Sequence, residues 1–212
     1  MKKVFFLAFM AMSLTAMAQH VTPLTATVTE VNLQALRDQH KDPTMYRAAL
    51  DVLSKDLEKD AAALKAARNQ LKVEQNHAKE MENSLKESEK MTASLKSLYT
   101  KEEQEIKNMQ KTIQTQQQTL SKQVELNPET REAYVAFLEQ QQKELTASLT
   151  EIADRQRAIS DLETAISTRR TNLQYYNNEV NQKAAELTNL EAQLKERTAT
   201  VKAEQKSAKS MQ

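Results

Sequence analysis

The chain has 212 residues and no glycine, cysteine or tryptophan. Phosphate-cradling loops, dinucleotide fingerprints and nucleophile elbows need glycine where the backbone bends sharply or approaches a ligand. Most nucleotide enzymes are therefore excluded. Without cysteine there is no disulfide framework and no thiol chemistry, and a lipid-anchored start is not expected. Aromatic residues make up 4% of the chain, and Phe5, Phe6 and Phe9 lie together near its start. The remainder, Phe137 and five tyrosines, cannot fill a thick globular core. Burial is expected along a thin seam instead.

Charge is balanced, with 30 basic and 29 acidic residues. Nucleic acid and strongly charged surfaces are not implied as partners. Lys2 and Lys3, the apolar stretch from Val4 to about Leu14, and Ala16, Met17 and Ala18 before Gln19 read as a secretory signal spanning residues 1–18. The apolar run is shorter than the roughly 20 residues that a permanent membrane helix needs. Cleavage after Ala18 is expected, leaving no integral membrane segment and an exported protein, periplasmic rather than secreted.

What the chain does have is a seven-residue repeat. Leu50, Leu57, Leu64, Leu71, Ala78, Leu85, Thr92, Tyr99, Ile106, Ile113 and Leu120 form one series. Leu138, Leu145, Ile152, Ile159, Ile166, Leu173, Val180, Leu187, Leu194 and Val201 form a second. A strict heptad keeps one helix face against another helix over many turns. The fold class predicted is all-α, a long antiparallel coiled-coil hairpin with a short N-terminal helix.

All three prolines stand at boundaries. Pro23 lies in a threonine-rich start, and residues from Gln19 to about Thr27 are expected to be poorly ordered. Val28, Val31, Ala35 and Leu36 give an apolar face for a helix of about three turns that ends near Lys41. Asp42 before Pro43 and Asn127 before Pro128 are helix-start signals. They divide the chain into a mature start at 19–41, a first long helix at 42–126, a turn at 127–131, a second long helix at 132–208 and a tail at 209–212. Each long helix would extend about 120 Å at 1.5 Å per residue.

So short a connection implies antiparallel neighbours. Centring the hairpin on Glu129 faces Leu120 with Leu138, Ile113 with Leu145, Ile106 with Ile152, and Leu57 with Val201. A second seam position supplies charges: Glu102 falls near Arg155, Glu74 near Lys183 and Asp60 near Arg197. These pairs are expected to specify register rather than to stabilise. Met91, Leu98, Leu162, Tyr175, Tyr176 and Leu190 form a further apolar stripe, which predicts self-association or a third helix, with segment 28–40 able to cover the open end.

No catalytic constellation emerges. His20, His40 and His77 lack metal-ligand spacing, and His77 beside Ala78 reads as a seam-edge residue. The carboxylates lie on solvated helix faces, and the hydroxyls lack a positioned base. No enzyme activity, cofactor or small-molecule substrate is expected. The candidate interaction surface is the turn, with Asn127, Glu129, Tyr134 and Phe137 beside the glutamine tracts Gln116–Gln118 and Gln140–Gln142. The expected role is a structural or adaptor component of the bacterial envelope, with envelope proteins or further copies of the chain as partners. In outline the hairpin resembles the helical arms of periplasmic holdase chaperones and the coiled-coil hairpins of efflux-pump adaptors. Those resemblances imply, as alternatives, a holdase or a subunit of an envelope transport assembly.

Overall fold

A computed structural model describes residues 21–122 and 127–210. Residues 1–18, expected to be a signal segment, and Gln19, His20 and Val124 lie outside the described residues. Three helices follow one another: α1 (Leu33–Gln39), α2 (Pro43–Lys122) and α3 (Pro128–Ser210). No strand occurs among the described residues. The long helices pack against each other in antiparallel pairing, as the heptads predict. The described chain falls into two compact units, one from Asn83 to Thr171 and one combining 21–82 with 172–210.

The first, here called the turn unit, contains the end of α2 and the start of α3. Asn127 caps α3: its side-chain oxygen accepts from the Glu129 amide at 3.0 Å and its carbonyl from the Arg131 amide at 3.0 Å. That satisfies donors a helix start leaves orphaned, and Pro128 has none to lose. Ile113, Leu120 and Leu138 then bury together, with Val135 and Leu145 against them. A second cluster joins Tyr99, Ile152 and Ile159, backed by Leu95 and Ile106. Both match the register centred on Glu129. Edge bonds keep that register along the unit, from Gln156 to Glu103 at 2.8 Å, Lys96 to Glu163 at 2.8 Å and Arg170 to Glu89 at 2.5 Å.

The second, the strap unit, holds the start of α2, the end of α3 and the N-terminal segment. Asp42 caps α2 through the amides of Thr44 and Met45, at 2.8 and 3.0 Å. Leu50, Leu57, Leu64, Leu71, Leu187 and Val201 are buried, so the heptads again mark the seam. Tyr46 and Leu50 close its end with Ala208, and Leu33 and Leu36 of α1 pack on that cluster. Arg68 and Glu191 form a two-pronged ion pair across the helices.

The N-terminal segment departs from expectation. Helix α1 covers seven residues rather than three turns, and Val28 and Val31 precede it in non-helical chain. Asn32 is the reason the helix starts where it does, since its side chain accepts from the Ala35 amide at 2.9 Å. Residues 21–31, expected in part to be poorly ordered, instead form a strap bonded to both long helices.

Candidate functional site

The strap is extended. Thr22 bonds Glu74 and Thr29 bonds Asp60. Seven strap residues thus cover fourteen helical ones, a rise of about 21 Å at 1.5 Å each. Seven residues reach that distance only when nearly straight, at about 3.3 Å each. Burial agrees, because Val28 is buried and Leu24 and Ala26 half-buried while Thr25 and Thr27 are exposed. Alternation of this kind is the period of a strand.

An extended segment without a neighbouring strand has no ladder to satisfy its amides and carbonyls, and burying them unpaired is costly. Here charged side chains supply the partners. The Thr22 amide donates to Glu74 Oε1 at 3.2 Å, and Lys183 Nζ donates to the Thr22 carbonyl at 2.7 Å. Fourteen helical residues away the arrangement repeats: the Thr29 amide donates to Asp60 Oδ2 at 2.6 Å, while Arg197 donates to the carbonyls of Val28 and Thr29 at 2.7 and 2.8 Å. In both rungs an α2 carboxylate takes the N–H and an α3 cation gives to the C=O. Acidic and basic partners therefore grip the strap's backbone from two sides, at the N–H and C=O of Thr22 in the first rung and across the Val28–Thr29 peptide group in the second.

The two rungs differ from the simple edge pairs expected. Glu74 and Lys183 do pair, at 2.8 Å, but their side chains are only 10% and 5% exposed. Asp60 and Arg197 meet through the strap backbone. Beside the first rung lies an open pocket of about 640 Å³ lined by Thr22, Val73, His77 and Tyr176. His77 sits edge-on to the Tyr176 ring at 5.9 Å and 80°, which accounts for it as a seam-edge residue.

At its other end the strap is secured by α1. Arg37 donates to Glu204 Oε1 at 2.5 Å, and the Tyr46 hydroxyl donates to the same oxygen at 2.8 Å. The Arg37 bond, then the Tyr46 bond, hold the Glu204 carboxyl below the usual carboxylate range. Burial pushes the Tyr46 hydroxyl up.

The residues expected to form an interaction surface at the turn divide. Asn127 is engaged in capping, and the Glu129 amide is its donor. Tyr134 and Phe137 stack with centroids 6.4 Å apart at 18° and remain exposed. Of the expected second apolar stripe, Met91, Leu98 and Tyr175 are exposed, whereas Leu162 and Tyr176 are buried. No group of histidine, aspartate and glutamate among the described residues could hold a metal ion. No helix among them is long and apolar enough to cross a membrane. No known protein family, curated protein or solved structure matches the chain.

Proposed function

We propose that this is an exported, non-enzymatic coiled-coil protein of the bacterial cell envelope that acts as an adaptor by holding polypeptide in extended form along its paired helices. The observation that carries the reading is the pair of rungs at Glu74–Lys183 and Asp60–Arg197, which grip main-chain groups of an extended segment. A helix pair that uses carboxylates and cations on peptide groups has the chemistry to hold a partner's strand as well as its own.

The test uses a chain lacking residues 21–31, so that the rungs are free, on an array of peptides from envelope proteins. Retention of extended, uncharged peptides, lost in Glu74→Gln/Lys183→Gln, is the expected result. Absence of any retention sinks the reading.

A second reading is favoured by one feature, that the bonds go to main chain, which every sequence carries. A clamp of that kind suits a holdase for unfolded exported chains. It would suppress aggregation of unrelated unfolded proteins at near-stoichiometric amounts, whereas an adaptor would leave aggregation unchanged and recover specific partners.

A further inference from the structure

The rung chemistry recurs in the turn unit. On α2, Glu102 follows Glu74 by two fourteen-residue steps, and on α3 Arg155 precedes Lys183 by the same interval. Fourteen residues are two heptads, so each step returns to the same helix face. Glu102 and Arg155 stand 3.8 Å apart, with side chains 35% and 29% exposed. This is a looser and wetter pair than the one that grips Thr22. The Glu102 carboxylate accepts no hydrogen bond among the described residues, while Arg155 donates to Glu151 one turn back at 3.2 Å and lies over the Tyr99 ring at 5.6 Å. Toward the next basic position on α3, the facing stretch of α2 leaves Met91 and Leu98 exposed.

A second observation lies one step away in the same unit. Arg169 occupies the next basic position on α3, and its Nε–H is shielded from solvent yet has no acceptor. Opposite it the register places Ser88, whose hydroxyl donates to the Ser84 carbonyl at 2.9 Å instead. A shielded donor without an acceptor is costly, and a rotation of the Arg169 side chain that brings its guanidinium to an arriving carbonyl would remove that cost.

We infer that the turn unit carries a second extended-polypeptide clamp, in which Glu102 and Arg155 grip one peptide group and Arg169 takes the carbonyl seven residues along. The occupant is an uncharged, extended segment of another protein, with small aliphatic side chains at alternate positions turned toward the α2 stretch between Ser88 and Glu102, where Met91 and Leu98 are exposed. Its spacing follows from geometry, because the two basic positions are about 21 Å apart along α3 and seven extended residues span about 23 Å. Its side-chain character follows from the strap, which turns Leu24, Ala26 and Val28 inward under the same rung chemistry. The inference rests on the polypeptide-holding reading above and assigns that reading a site.

The probe is a fluorescent peptide with the uncharged sequence of residues 21–29, titrated into the full chain by anisotropy. Binding is expected, with crosslinking from a benzophenone placed at Leu98. Glu102→Gln/Arg155→Gln should weaken it at least tenfold, as should Arg169→Gln alone, with helicity unchanged by circular dichroism. N-methylation of the Thr22 and Thr29 amides in the peptide should also weaken it. Equal affinity for the variants, or no binding, overturns the inference. So does a dimer of the chain alone that Glu102→Gln/Arg155→Gln dissociates, since a second copy would then be the occupant. The chain lacking residues 21–31 separates the two levels: crosslinking from Val73 there with none from Leu98 removes the turn-unit site alone. Failure at both positions removes the polypeptide-holding reading as well.

Discussion

Single side chains decide whether the strap stays down. Lys183 is nearly inaccessible and donates to both oxygens of Glu74 as well as to Thr22. Lys183→Met leaves a buried carboxylate without its cation, so the strap unit should lose about 3 kcal/mol in urea unfolding. Replacing both partners with apolar residues should cost clearly less, because no stranded charge remains. Glu102 and Arg155 present the opposite case. Both are partly exposed, and a charge swap between them should recover less than about 1 kcal/mol of coupling. A double-mutant cycle on each pair separates the two predictions. Glu204 sets a pH dependence. Its carboxyl is depressed below its unfolded value by Arg37 and Tyr46, so its contribution is present above the unfolded pKa and is lost as pH falls through the folded one. Proteolysis at Arg37 should therefore accelerate as the pH drops below about 4, and Glu204→Gln should flatten that profile.

Among the elements, the long helices rest on the heptads and the caps. Ile152 is buried with Tyr99 and Ile159, and Ile152→Asp sets an unpaired charge among them. The thermal transition of the turn unit should drop severely, whereas Asn127→Ala should cost about 1 kcal/mol as a lost cap. These helices were legible from sequence because their signal repeats: Leu50 to Leu120 and Leu138 to Val201 each mark the same face many times, and proline fixes both starts. Helix α1 was only partly legible. Val28 and Val31 fit a helical face as well as an extended one, and Asn32 as the cap decides the matter. The strap carries no such signal, since Leu24, Ala26 and Val28 give one short alternation with no other cue beside it. An extended segment that borrows its hydrogen bonds from side chains far away in sequence leaves little local trace.

At the scale of the whole molecule, the polar seam positions take on a role that pairing alone does not give them. Register arithmetic brought Asp60 to Arg197 and Glu74 to Lys183, but it could not show a third segment passing between or beside them. The charges specify both the alignment of the helices and the place of the strap. Export belongs to this scale too. The proposed envelope location predicts that the chain, expressed with its signal, yields a product beginning at Gln19 in the periplasmic fraction. Full-length mass in the cytoplasm would contradict it. The central claim is that charged rungs hold an extended backbone, and amide hydrogen exchange by NMR tests it most directly. The account predicts slow exchange at Thr22 and Thr29, released at Thr22 by Glu74→Gln and at Thr29 by Asp60→Asn, each without effect on the seam of the other. Exchange of both amides at free-peptide rates in the unaltered protein would contradict it.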